Sequence, residues 1–305
     1  MNYKVSVLVP VYNSFDYIKN LIKCLKNQTY KNLEVIFVND GSIDKSYKLL
    51  KKAVKKLDNA KVIEHDKNKG LFWARLTGLK ACSGDYICFL DSDDFVEPDF
   101  YQKMLEKIVE SNADICISDY VETIVETGKD KAPRTFLLND NNEYNDYNCF
   151  FSIANKNFVD QGYLYMWNKM ISKKLFQKCE NYIDELSLQT EGLLMGEDNL
   201  YSIIFLSNAE KVVISHQSKY HYCQHENQSV SFQEKDKFLR QLKSSIKSFV
   251  LSLDYLKKVG LYDRYKPQKE AWLRIYKNDF MSQSYKYRCP SEYRKILKEY
   301  LREEL

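Results

Sequence analysis

Tyr86-Ile87-Cys88-Phe89-Leu90-Asp91-Ser92-Asp93-Asp94 sets the terms for the rest of the chain. Five apolar residues in a row read as a strand covered on both sides, the habit of parallel sheets flanked by helices. Three acids then follow within four residues, where that strand surfaces. Clustered carboxylates repel one another and resist burial. A divalent cation makes such a cluster favourable, and hard oxygen ligands suit magnesium or manganese. Magnesium usually keeps part of its coordination for water and substrate phosphates. The stretch therefore points to an enzyme that handles a nucleotide diphosphate.

Working outward, the first 120 residues alternate strand and helix signals. Strands are expected at Lys4 to Val9, Leu33 to Val38, Lys61 to Glu64, Tyr86 to Leu90 and Asp114 to Ser118. Helices are expected at Phe15 to Lys26, Lys45 to Leu57, Leu71 to Ala81 and Pro98 to Glu110. This is an α/β chain with a mostly parallel sheet and helices on both faces. In such sheets ligands bind beyond the carboxyl ends of the strands, where Tyr12, Asp40, Asp66 and Asp91 all fall. From Val121 the pattern is irregular, and residues 138–148, rich in Asn and Asp, read as a loop. Helical signals return at Leu200 to Ser207, and short strands are expected at Val212 to Ile214 and Lys219 to Tyr222. After Glu234 the pattern is helical: Phe238, Leu242, Ile246, Phe249, Leu253 and Leu256 keep one apolar face. Trp272 to Phe280 and Tyr293 to Leu301 suggest two more helices. Three regions follow, at residues 1–120, 121–231 and 232–305.

The 305 residues are 44% hydrophobic and 29% charged, ordinary for a folded protein. The formal net charge of +4 is uneven: residues 1–230 carry 28 Lys and Arg against 32 Asp and Glu, and residues 231–305 carry 18 against 10. A basic, Tyr-rich tail suits an anionic membrane face or acceptor, and equally a solvated helical surface. Its apolar helices also offer a homodimer interface. No nucleic-acid partner is expected. No secretory signal is read, and no segment approaches the roughly 20 apolar residues that span a bilayer. The expected location is the cytoplasm, or the inner membrane face. None of the eight cysteines forms a CxxC pair, so all are read as reduced, without a zinc site.

Individual residues at the rim carry less information than their combination. Val5 to Asn13 runs off a strand into a turn; Pro10 marks the strand end, and Tyr12 either stacks on a base or is an ordinary half-buried aromatic. Asp40, in Asn39-Asp40-Gly41-Ser42, either accepts from a uracil imide or caps a turn. Lys69 and Arg75 either neighbour a diphosphate or serve surface ion pairs. Glu197 and Asp198, in Gly196-Glu197-Asp198-Asn199, either do chemistry or sit at a helix N-terminus where the dipole favours acids. Trp167 either faces a sugar ring or belongs to the core.

Taken in order, VSVLVPVYN, EVIFVNDGS, NKG…AR, GDYICFLDSDD and, much later, GEDN resemble the family-2 inverting glycosyltransferases. The likeness is close over residues 1–120 and looser to about 231. It implies a GT-A fold with a Rossmann-like sheet, extended here by C-terminal helices. It implies that a sugar passes from a nucleotide-diphosphate donor, UDP-sugar favoured, to a hydroxyl of a glycan, glycolipid or glycoprotein acceptor. Pro10, Val11, Tyr12 and Asn13 would line the base pocket, with Asp40 on the uracil edge and Glu34 near the ribose. Lys69, Arg75, Asp91, Ser92 and Asp93 would meet the rest of the donor. Asp93, Asp94 and His225 would hold Mn2+ or Mg2+. Asp198, ahead of Glu197, would be the catalytic base, and Trp167, Asn168 and Lys169 would underlie the acceptor. Cys223 stands where many relatives carry arginine. Two rivals are weaker. A nucleotidyltransferase needs a Gly-rich basic loop after the first strand, which Pro10 to Ser14 lacks. A nucleotide-sugar-binding protein without chemistry has no need of both Asp93 and Asp198.

Overall fold

Val5–Val11 (β1) is buried along its whole length, and the sheet is built around it. It pairs in parallel with Leu33–Asn39 (β2) on one side and Tyr86–Phe89 (β4) on the other. Ala60–Glu64 (β3) then pairs in parallel with β2. The structure is a computed structural model that describes residues 2–124, 129–131, 133, 143–144, 161–225 and 234–301. The connecting helices are Ile18–Lys26 (α1), Ser46–Ala53 (α2), Leu71–Ala81 (α3) and Phe100–Glu110 (α4). These elements lie where the sequence periodicity puts them, within a few residues at their ends.

The second half adds to the same sheet. Ile115–Ile124 (β6) pairs in parallel with Val212–Gln224 (β10), across a register shift between Ser215 and Lys219. Lys169–Ser172 (β9) sits antiparallel between β4 and β6, and Phe95–Val96 (β5) pairs antiparallel with the far side of β10. The order is β3-β2-β1-β4-β9-β6-β10-β5, with two-residue strands Lys129–Asp130 (β7) and Glu143–Tyr144 (β8) on β6 and β10. The long ladders are parallel, and the sheet as a whole is mixed. The expected region boundary at residue 120 falls inside β6, and the one at residue 231 lies outside the described residues. The expected loop at 138–148 is likewise undescribed, apart from β8.

Helices Lys173–Ser187 (α5) and Glu197–Asn208 (α6) follow β9. Ser172 caps α5, its hydroxyl accepting from the Leu175 N–H at 3.1 Å. The C-terminal region is Lys235–Lys258 (α7), Lys266–Lys286 (α8) and Pro290–Tyr300 (α9). The apolar stripe of α7, from Phe238 to Leu256, is buried as its spacing requires, and α7 packs directly on α6. Among the described residues no helix is long and apolar enough to cross a membrane, and the cysteines described are all free.

Candidate active site

Arg75 organises the site. Gly78, one turn further along α3, lets that helix lie against β1: a Cβ there would come within 2.4 Å of Leu8 Cγ. Arg75 shares the buried face and is sealed completely, with 0% of its surface exposed. Its guanidinium reaches three carboxylates from two distant stretches of chain. Nη2 donates to Asp91 Oδ1 at 3.1 Å; Nη1 donates to Glu197 Oε1 at 2.8 Å and to Asp198 Oδ1 at 2.5 Å. Asp91 stands just beyond β4, and Glu197 and Asp198 open α6. Burial works against the charge on Arg75, but Asp198, Asp91 and Glu197 outweigh it and hold its pKa above the usual value. The same burial, with repulsion from neighbouring acids, raises the carboxyls of Asp91 and Glu197 above the ordinary range despite Arg75. One cation among three acids leaves the cluster short of positive charge.

Asp94 is anchored on β10. It is buried, and both its oxygens are taken: Oδ2 by the Tyr220 hydroxyl at 2.7 Å, Oδ1 by the Cys223 N–H at 2.7 Å. The Tyr220 oxygen also accepts from the Asp91 N–H at 3.1 Å. Burial, then repulsion from Asp93 and Asp91, drives the Asp94 carboxyl well up. Asp94 therefore ties the acidic loop to β10. That tie brings His225, at the end of β10, to Asp93: Nε2 meets Oδ2 at 2.8 Å. Tyr17 meets the other ring nitrogen at 3.3 Å. Ser92 hydrogen-bonds Ser14 at 2.7 Å, joining the acidic loop to the turn after β1.

A divalent cation fits this arrangement as a substrate-assisted site rather than a protein cage. No group of three or more His, Cys, Asp or Glu ready to hold a metal occurs among the described residues. Asp93 and His225 offer one carboxylate and one imidazole at the rim, and the cluster behind them lacks positive charge. Manganese accepts such ligands, and magnesium is typically held by one or two carboxylates together with substrate phosphates.

The residues expected to line a base pocket lie at the same rim. Pro10 and Val11 are buried at the end of β1; Tyr12 and Asn13 are exposed. Asn13 adopts φ 50° and bridges to the next loop, accepting from the Ile43 N–H at 3.0 Å. Asp40 accepts from His65 Nδ1 at 2.6 Å, the Lys69 N–H at 2.9 Å and the Gly70 N–H at 2.8 Å. Three of its roughly four acceptor positions are thereby taken, which leaves about one for an imide N–H. His65 in turn meets Thr77 at 2.9 Å. Sequence reasoning passed over His65, although it directly follows the carboxyl end of β3. Lys69 turns its side chain outward to Asp66.

Two further expectations change. Glu34 is at the amino end of β2, about 16 Å of strand away from Asn39, so it cannot reach a ribose at the carboxyl rim. It accepts from Ser6 Oγ at 2.7 Å and the Ser83 N–H at 2.9 Å. Burial alone would raise its pKa, but the Ser6 and Ser83 hydrogen bonds and Lys61 win and hold it at about 2. Trp167 is 3% exposed, with Tyr220 stacked at 4.5 Å, Tyr165 at 4.9 Å and Tyr222 at 5.6 Å between ring centroids. Its indole is a core element here, with no open face for a sugar. Asn168 and Lys169 are buried as well. The Lys169 ammonium lies against the Tyr165 carbonyl and Asn168 Oδ1, and burial lowers its pKa to about 7, against a smaller opposing pull from Asp198.

A family model described as Glycosyl transferase family 2 matches residues 6–179. The chain belongs to this family. Among relatives, Glycosyltransferase GlyA of Streptococcus pneumoniae is 31% identical over 223 residues, covering 72% of this chain and 30% of that protein. Putative glycosyltransferase EpsH of Bacillus subtilis is 41% identical over 125 residues, 41% of this chain and 36% of its own length. The family-2 chain thus spans about a third of these two relatives. Of solved structures, S. aureus TarS 1–349 in complex with UDP-GlcNAc superposes with a TM-score of 0.68 at 19% identity, over 98% of this chain and 81% of that one. The corresponding complex with UDP gives 0.60 at 20% identity, over 90% and 72%. That likeness shows the GT-A fold.

Proposed function

We propose that this family-2 chain moves a sugar from a UDP-sugar to an acceptor hydroxyl with inversion at the anomeric carbon. The observation that carries the reading is the meeting of Asp91 and Asp198 on one guanidinium. It brings a strand-end acid and the opening of α6 together on one cation. Asp198 keeps 22% of its side chain exposed against 6% for Glu197, so Asp198 is the more accessible of the two acids.

In the reaction, Asp198 takes the proton of the acceptor hydroxyl as its oxygen attacks the anomeric carbon. The bond to that oxygen forms while the bond to the β-phosphate oxygen breaks, and UDP leaves with the electron pair. One displacement inverts the configuration. Such a base contributes about 10²–10⁴-fold. Arg75 holds Asp198 and Asp91 in fixed relation, and Asp40 with Tyr12 takes the base. Asp93 and His225 would hold a divalent ion, which supplies charge stabilisation to the diphosphate. The acceptor position left on Asp40 suits a pyrimidine imide, and UDP is favoured among such donors by the UDP and UDP-GlcNAc complexes of TarS. The acceptor we assign is a bacterial surface glycan, glycolipid or glycoprotein, in keeping with the bacterial relatives, and free cysteines suit a cytoplasmic reaction.

A thermal-shift screen of UDP-GlcNAc, UDP-glucose, GDP-mannose and dTDP-glucose, with and without manganese, tests the donor. A ligand that binds only the native state raises apparent stability by RT ln(1 + [L]/Kd). Asp198→Asn should keep the donor shift and lose turnover by about 10²-fold or more. Near-normal turnover in that variant removes Asp198 from the role of base.

A further inference from the structure

The opening of α6 is held from outside the sheet. Ser244 Oγ, on α7, accepts from the Leu194 N–H at 2.7 Å and the Met195 N–H at 2.8 Å, and donates to the Met195 carbonyl at 2.9 Å. One turn on, Ser248 Oγ donates to the Gly196 carbonyl at 2.5 Å. Between them, Lys247 Nζ reaches the Glu191 carbonyl at 2.8 Å. Gly196 adopts φ 89°, and a Cβ added to it would lie 2.9 Å from Ser248 Cβ. The main chain that leads into Glu197 and Asp198 is therefore seated on one helical turn of the C-terminal region.

Serine is a costly choice for that face. Ser244, Ser245, Ser248 and Ser252 are all buried within α7, where alanine or leucine would favour the helix and serine competes for its backbone. Three of the four spend their hydroxyls outside their own helix: Ser244 and Ser248 on the loop, Ser245 on the Tyr276 hydroxyl of α8 at 2.9 Å. Ser252 bonds the Ser248 carbonyl of its own helix, at 2.9 Å. The hydroxyls toward 194–196 supply polar partners to a glycine turn that has no ladder of its own.

We propose that Ser244 and Ser248 are positioning residues for the transfer step, the C-terminal helix setting the aim of Asp198 at the acceptor hydroxyl. The proposal rests on Asp198 acting as the base. A displacement of about 1 Å at a reacting group can cost on the order of 10²-fold in rate, and these hydrogen bonds fix the residues directly before it.

The test compares Ser244→Ala, the pair Ser244→Ala with Ser248→Ala, and Ser252→Ala as a control on the same helix face. Amide hydrogen exchange at Leu194 and Met195 should speed up in the first two and stay unchanged in the control. UDP release from UDP-GlcNAc or UDP-glucose, with manganese, should show kcat down about tenfold or more in the pair, with KM for the donor and the thermal shift by UDP within about twofold of the parent. Unchanged exchange at those amides overturns the proposal, and so does a pair of full kcat, or one whose loss lies in donor affinity. Turnover that survives Asp198→Asn removes the base itself. Turnover lost in Asp198→Asn but full in the serine pair removes only the positioning role.

Discussion

Replacing Arg75 by methionine keeps the bulk of the side chain and removes the only cation among the described residues that touches Asp91, Glu197 and Asp198. Arg75 is wholly buried, so water cannot stand in for it. Breaking a buried ion pair by removing one partner costs about 3–5 kcal/mol. With three carboxylates left behind, the loss at pH 8 should lie near the top of that range. Protons can replace the missing charge. Asp91 and Glu197 already bind protons more tightly than free carboxyls, and losing Arg75 raises them further. A carboxyl raised in the folded state contributes stability below its unfolded pKa, and that contribution is lost as pH rises through the folded value. The penalty of Arg75→Met should therefore shrink between pH 8 and pH 5. Urea unfolding of parent and variant at both pH values measures it. A loss below about 1 kcal/mol, typical of a surface ion pair, or an equal loss at both pH values, would refute the account of Arg75 as buried counter-charge.

Glu34→Gln should cost about 3 kcal/mol at neutral pH, from a carboxyl held at about 2 against an ordinary 4.5. Because the folded value is depressed, the parent keeps that stability above pH 4.5 and sheds it as acid is added toward pH 2. The penalty should fade over that window in acid unfolding curves. Trp167→Ala should lower unfolding free energy by about 3–5 kcal/mol, as core aromatics do; a stable variant with impaired transfer alone would return Trp167 to the acceptor. His225→Ala should leave the fold intact and weaken the extra thermal shift that manganese adds to UDP; an undiminished shift would remove His225 from the cation.

The first half was legible because its signals are local. Apolar runs in Val5–Val11, Leu33–Asn39 and Tyr86–Phe89 end at polar rims, and each strand end follows from its own few residues. The second half was less so. β9 is four residues long and begins with Lys169, a charged residue that reads as surface but is buried. Helix α5 does carry an apolar face, with Leu175, Cys179, Ile183 and Leu186 buried, yet it follows an irregular stretch and its start depends on the Ser172 cap. The anchoring of Asp94 was not legible, because its spacing from Asp91 and Asp93 is all that the sequence displays. Its partners, Tyr220 and Cys223, lie about 130 residues away.

The pairing of Arg75 with Asp198 was hidden for the same reason. Nothing near Arg75 announces a carboxylate partner, and nothing near Gly196 announces an arginine. They meet because Gly78 draws α3 against β1, while α7 supports the turn from which α6 departs. The sheet places Asp91 between them, at the end of a strand hydrogen-bonded to β1 on one side and β9 on the other. A family motif can name Asp91 and Asp198 separately. Their shared cation makes them one electrostatic unit, so a change at Asp198 should shift proton binding at Asp91.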